Sequence, residues 1–145
     1  MILNRQKPLV IFEMANNHQG SVEHGKKIIN QLKEKALPYD FEFAVKFQYR
    51  DLETFIHPDY KDRMDLKFVK RFSETKLSDK DFLNLKLECE KVGFKTVCTP
   101  FDEISVKKIK DHGYDYLKVA SCSIMDWPLL DEICKVQMPV IASTG

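Results

Sequence analysis

The sequence predicts an α/β protein of parallel strands, read as five strands of a (β/α)8 TIM-type barrel. Three observations carry that reading. Five short apolar runs are separated by four amphipathic helical patterns along 145 residues, the rhythm of parallel strands joined by crossover helices. The runs are close to continuously apolar, as strands covered on both faces are. Each run also closes on polar residues: Glu13, Lys46 with Gln48, Thr99 with Asp102, Lys118 with Ser121, and Ser143. Functional side chains gathered at C-terminal strand ends describe a barrel mouth. An open doubly wound sheet is the other candidate, but Asn16-Asn17-His18-Gln19-Gly20 after the first run is no G-x-G-x-x-G phosphate loop.

Each element has its own signal. Pro8 to Glu13 is a first strand closed by its carboxylate. Ser21 caps a helix reaching about Ala36, with Ile28, Ile29, Leu32 and Ala36 on one stripe. Phe41 to Gln48 is the second strand, and alternation sets Phe43, Val45 and Phe47 against Ala44, Lys46 and Gln48. A polar excursion from Tyr49 to Lys76 follows, with a charge-rich helical stretch around Lys61 to Phe72 read as a solvated face. Ser78 with Asp81 three residues on resembles a capping box, opening a helix that carries Phe82, Leu85, Cys89 and Val92 and stops at Gly93. Phe94 to Cys98 is the third strand, and a helix with Ile104, Val106 and Ile109 runs from there to Gly113. Tyr116 to Ala120 is the fourth strand. Pro128 suits the first turn of a helix with Leu129, Leu130, Ile133 and Cys134, and Pro139 to Ser143 is the fifth strand.

Composition excludes several classes. With 43% hydrophobic and 31% charged residues, the chain can bury a core and is not a disordered segment. A formal net charge of +1 gives no electrostatic footprint for nucleic acid or an anionic membrane. No apolar run approaches the roughly 20 residues of a membrane span, and Met1 to Pro8 lacks the apolar centre of a signal peptide. Cys89, Cys98, Cys122 and Cys134 show no C-x-x-C spacing and stand in largely apolar contexts. They are read as reduced, mostly buried thiols of a cytoplasmic protein.

Lys46 and Lys118 are the most informative residues. Each stands inside an apolar run, and a buried ammonium needs an anionic or strongly polar partner. Two of them on different strands point to a site for a phosphate, a carboxylate or both. The other reading is a structural ion pair to a nearby Asp or Glu. His18, His24, His57 and His112 show no metal-ligand spacing, and His18 is read as a hydrogen-bonding loop residue.

Glu13-Met14-Ala15-Asn16-Asn17-His18-Gln19-Gly20, Val45-Lys46-Phe47-Gln48, Thr99-Pro100-Phe101-Asp102, Lys118-Val119-Ala120-Ser121 and Ser143-Thr144-Gly145 together resemble successive motifs of the sialic acid synthase family, which includes N-acetylneuraminate, legionaminate and pseudaminate synthases. The resemblance covers the whole chain in order. It implies a (β/α)8 barrel that condenses phosphoenolpyruvate with an N-acetylated amino sugar of the N-acetylmannosamine type, giving a nine-carbon 2-keto acid and phosphate. It also implies that Lys46, Thr99, Lys118, Ser121 and Ser143 hold phosphoenolpyruvate and that Glu13 handles a proton or orients the sugar. Gln48, Phe101 and Asp102 become substrate contacts at the mouth.

The resemblance further implies a divalent metal, Mn or Mg, and a homodimer of the full-length protein. The family's metal-binding histidines, later barrel strands and C-terminal antifreeze-like domain are expected downstream of residue 145, so the chain is read as the N-terminal part of the barrel. Two positions depart from the pattern: Met14-Ala15 stands for the usual Ile-Gly, and Ser121-Cys122-Ser123 for Ser-Gly-Glu, so Ser123 replaces an acidic residue. Two other functions remain open, a synthase joining phosphoenolpyruvate to another aldose and a non-catalytic phosphosugar- or anion-binding protein.

Overall fold

The computed structural model describes residues 7–145. The reading of the N-terminus as free of a signal peptide falls largely on residues 1–6, which lie outside the described residues. Five strands form one sheet in the order β1 (Leu9–Glu13), β2 (Glu42–Tyr49), β3 (Lys95–Pro100), β4 (Tyr116–Val119) and β5 (Val140–Ala142). Every neighbouring pair is parallel. Such an arrangement is half of a barrel, with the helices on its convex side. No helix among the described residues is long and apolar enough to cross a membrane.

The helices begin where their caps stand. Helix α1 (Val22–Ala36) starts behind Ser21, whose hydroxyl accepts the His24 N–H at 3.2 Å. Helix α4 (Asp79–Lys91) opens on a complete capping box in which Ser78 and Asp81 exchange backbone and side-chain bonds at 3.1 Å. Gly93 ends it in the left-handed region, at φ +83°, which any side chain would resist. Helix α5 (Glu103–Asp111) is capped by Asp102, and α6 (Trp127–Lys135) by Asp126 with Pro128 in its first turn.

The core lies between sheet and helices. Phe47, Cys98 and Leu117 from the strands meet Ile29, Leu85, Cys89, Ile109 and Leu129 from the helices, all buried. Burying each large apolar side chain contributes about 1.5–3 kcal/mol, so this layer supplies most of the drive to form the half-barrel. Where β2 ends, the Tyr49 hydroxyl lies 3.0 Å from the Tyr114 hydroxyl and 2.9 Å from His112 Nδ1. Burial pushes both phenols well above their ordinary pKa, so Tyr49 and Tyr114 stay protonated and hydrogen-bonded.

The structure corrects the sequence reading in three places. The charged stretch is not one helix: a short α2 (Leu52–Phe55) and a 3-10 turn at Pro58–Tyr60 precede α3 (Lys67–Glu74). Nor is it a solvated face throughout, because Val69 is buried and Phe72 packs against a guanidinium. Cys122 and Cys134 are exposed, whereas Cys89 and Cys98 are buried. Cys134 neighbours the buried Ile133, but the helical step turns it outward. Ile104 also faces solvent, at the first turn of α5.

Candidate anion-binding site at the strand ends

Register and alternation fix the faces of the sheet. Glu13 lies beside Lys46 and Gln48 beside Thr99, on the face opposite Phe47 and Cys98. Lys118 follows Leu117 on β4 and likewise points away from the helices, into the concave side. Glu13, Lys46, Gln48, Thr99 and Lys118 thus share one face near the C-terminal strand ends, and Ser143 joins them just past β5.

Both lysines are anchored, in different ways. Lys46 Nζ lies 2.6 Å from Glu13 Oε2, while Glu13 Oε1 accepts the Ala15 N–H at 3.1 Å. The ion-pair reading therefore holds for Lys46. Lys118 Nζ donates to Ser143 Oγ at 2.6 Å and to the Val119 carbonyl at 2.5 Å, both neutral acceptors. Burial lowers its pKa first and the Lys46 charge second, with Glu13 only partly opposing. Two ammonium groups against one carboxylate leave a positive surplus on this face. Thr99 adds a hydroxyl that is 2% exposed and has no hydrogen-bond partner. A buried polar group without a partner costs free energy, and here it stands between the strands that carry the two lysines.

The other candidates are distributed around the mouth. Ser121 opens a 3-10 turn, Ser121–Ser123, beyond the end of β4, and its side chain is exposed. Ser123 is buried, with its hydroxyl 3.9 Å from Cys122 Sγ. Asp102 is a structural carboxylate at the rim: Oδ1 accepts the Ser105 N–H and Oδ2 the Asp51 N–H, each at 2.7 Å. It ties the start of α5 to the loop after β2. Asp102→Ala is expected to lower stability by about 2 kcal/mol, since a cap and a second charge-assisted bond are lost together. Urea unfolding checks this, and a change below about 0.5 kcal/mol contradicts it.

Sequence reasoning passed over Arg50. Its guanidinium carbon lies 4.0 Å from the Phe101 ring centroid and 4.4 Å from that of Phe72, with Phe55 at 5.8 Å. Its Nη2 donates to Gln48 Oε1 at 2.8 Å. Nε is buried without a partner, and no carboxylate lies within ion-pair distance among the described residues. Burial lowers its pKa to about 10, so it remains a cation at neutral pH. The available signal was spacing: Arg50 stands just past the end of β2, two residues after Gln48 and four after Lys46, in phase with both. Beside it, a pocket of about 150 Å³ opens between the excursion and the sheet, lined by Asn16, Gln48, Arg50, Phe72, Lys76 and Lys108.

Among the described residues no group of three or more His, Cys, Asp or Glu side chains could hold a metal ion. His18, nearest the site, is buried and spends Nδ1 on the Gly20 N–H at 3.1 Å. The divalent metal implied by the resemblance thus has no fitting ligand set in residues 7–145.

Comparison with known proteins agrees with this architecture. A spore coat polysaccharide biosynthesis protein E from Chromobacterium violaceum has 52% sequence identity and a TM-score of 0.93, over 96% of this chain and 41% of its own. An N-acetylneuraminic acid synthetase from Leptospira borgpetersenii, solved with citrate, has 27% identity and a TM-score of 0.78, over 98% of this chain and 46% of its own. The N-acetylneuraminate-9-phosphate synthase of Drosophila melanogaster is 28% identical over 143 residues, which are 94% of this chain and 37% of the fly protein. The chain therefore spans less than half the length of the relatives it matches. Residues 42–145 match the sequence model of the NeuB family, and the chain belongs to that family.

Proposed function

We propose that this chain contributes the phosphoenolpyruvate-binding half of a sialic-acid-type synthase. The observation that carries the reading is the positive surplus of Lys46 and Lys118 on one concave face, with the unpartnered Thr99 hydroxyl between their strands. A ligand bearing both a phosphate and a carboxylate would answer all three groups. Names borne by the relatives support a sugar-acid product, and an N-acetylated amino sugar such as N-acetylmannosamine is the proposed acceptor.

In the proposed reaction C3 of phosphoenolpyruvate forms a bond to the aldehyde carbon of the open-chain sugar, whose oxygen takes up a proton. Water adds at C2. The C2–O bond to phosphate then breaks, releasing inorganic phosphate and leaving the 2-keto acid. Lys46 and Lys118 hold the two anionic groups and stabilise the charge that collects on the departing phosphate. Glu13, bonded to Lys46 and to the Ala15 N–H, keeps that ammonium aimed into the concave face and is the proposed proton-handling carboxylate. Ser121 and Ser143 are proposed to complete the ligand's hydrogen bonding. Asp102 and Phe101 shape the rim.

The whole barrel, its Mn or Mg ion with ligands outside residues 7–145, and a homodimeric state belong to the same proposal. A cytoplasmic location suits the exposed thiols of Cys122 and Cys134, which stay reduced there.

The test is phosphate release and 2-keto acid formation by the full-length polypeptide carrying these residues, given phosphoenolpyruvate and N-acetylmannosamine. Phosphate release that depends on the amino sugar supports the reading. Release only with a non-acetylated aldose would instead assign a different sugar-acid synthase. Calorimetric binding of phosphoenolpyruvate without turnover of any sugar would assign an anion-binding protein.

A further inference from the structure

We infer that Arg50 is a positioning residue that turns the Gln48 carboxamide into a hydrogen-bond donor toward the sugar substrate, a reading that rests on the function proposed above. A guanidinium has donors and no acceptor. The Gln48 atom 2.8 Å from Arg50 Nη2 must therefore be the oxygen, which resolves the orientation of the amide by chemistry. Its NH2 group is left to face away from Arg50, and among the described residues Gln48 makes no other side-chain hydrogen bond. Alternation places this group on the concave face with Lys46, two residues on toward the strand end. The complementary substrate atom is an acceptor, such as the carbonyl oxygen of an N-acetyl group or a hydroxyl oxygen.

Arg50 is built to hold that orientation. The rings of Phe72 in α3 and Phe101 in the β3–α5 loop, 4.4 and 4.0 Å from the guanidinium carbon, confine it by cation–π contact. The two rings come from segments about thirty residues apart in sequence, 72 and 101, so the clamp exists only when the excursion after β2 has folded onto the mouth. Asp102, a carboxylate whose charge acts on Arg50, has both oxygens committed to backbone N–H groups. The guanidinium is consequently not drawn away from Gln48 by a carboxylate. This links the excursion to specificity: its aromatic residues set a cation, the cation sets an amide, and the amide selects an acceptor on the sugar.

Two readouts on the full-length polypeptide test this. The first is 15N relaxation of the Gln48 side-chain amide in selectively glutamine-labelled protein, assigned by its loss in Gln48→Glu. The amide is expected to be ordered in the wild type and mobile in Arg50→Met, which keeps an apolar body between the rings. The second is the split between Michaelis constants. Arg50→Met is expected to raise KM for the amino sugar about tenfold, and that for phosphoenolpyruvate less than about twofold. Arg50→Lys, which keeps the charge and N–H donors but not the planar fork, should recover part of the loss. An equally ordered amide in Arg50→Met overturns the inference, and so does an equal rise in both constants or a lower Tm with neither changed. If the wild type condenses no sugar, the proposed function fails while the amide measurement still decides whether Arg50 orients Gln48.

Discussion

Lys118→Met is expected to weaken phosphoenolpyruvate binding by about 3 kcal/mol, a hundredfold or more, while leaving the protein as stable as before or more stable. The two halves of that result have one origin. Lys118 Nζ is satisfied only by a serine hydroxyl and a backbone carbonyl, with burial and the Lys46 charge both acting against its protonation. A lysine whose folded pKa lies below its unfolded value of 10.5 binds its proton less tightly when folded. Its charge therefore opposes folding at neutral pH, and that opposition is relieved only as pH rises through the folded pKa toward 10.5. Methionine keeps the apolar stem and removes the charge. The stored electrostatic cost disappears from the free protein, together with the anion's partner.

Lys46→Met should behave differently. Its ammonium is paired at 2.6 Å with Glu13, so removing it leaves a carboxylate facing the incoming anion. Affinity falls through lost attraction and added repulsion, and stability does not rise. The double variant Glu13→Gln with Lys46→Met should recover the repulsive part alone. Calorimetric titration of phosphoenolpyruvate into each variant, with melting curves alongside, separates these cases. Unchanged affinity in Lys118→Met with a lower Tm would make Lys118 a structural residue and remove the central support for the site.

The strands were legible because their neighbours in sequence determine them. Near-continuous apolar runs, the caps Ser21 and Ser78, Pro128 in a first helical turn, and Gly93 at a helix end all act within a few residues, and the structure uses each where it stands. The lysines were legible for a related reason, since a charge inside an apolar run conflicts with its surroundings wherever the chain folds. Asp102 shows the limit. An acid at a strand end is also an acid just ahead of a helix, and sequence does not say which demand takes its oxygens; here two backbone N–H groups do. Arg50 shows a harder limit. Its meaning depends on Phe55, Phe72 and Phe101, brought together from α2, α3 and the β3–α5 loop. In sequence these are isolated aromatics in a charge-rich excursion. The mixed charges of that excursion conceal an inward side that only tertiary contact reveals.

Acidification from pH 6.5 to about 4 is expected to remove about 3 kcal/mol of stability through His18 alone. The side chain is 2% exposed and packs edge-on against Phe82, with ring centroids 5.8 Å apart. Its Nδ1 accepts the Gly20 N–H at 3.1 Å, so the neutral ring carries its proton on Nε2. A second proton would have to break that bond and place a cation in the loop that leads from β1 into α1. Burial, and less strongly the charge of His24, lower its pKa from 6.5 to about 4. Between those values the unfolded chain binds a proton that the folded chain refuses, so stability falls as pH falls; below about 4 both states are protonated and this contribution stops changing. Asp115 occupies a separate window. Burial would raise its pKa, but bonds from Thr96 and Lys95 outweigh that and hold it below 3.8. Its contribution is present above that value and is lost as pH falls below it. Urea midpoints at pH 7, 5.5 and 4 for the wild type and His18→Asn isolate the histidine. Asparagine can still accept the Gly20 N–H but cannot titrate, so its profile should be flatter by about the same 3 kcal/mol. Parallel profiles for the two proteins would show that His18 is protonated in the folded state and that the β1–α1 loop tolerates the charge.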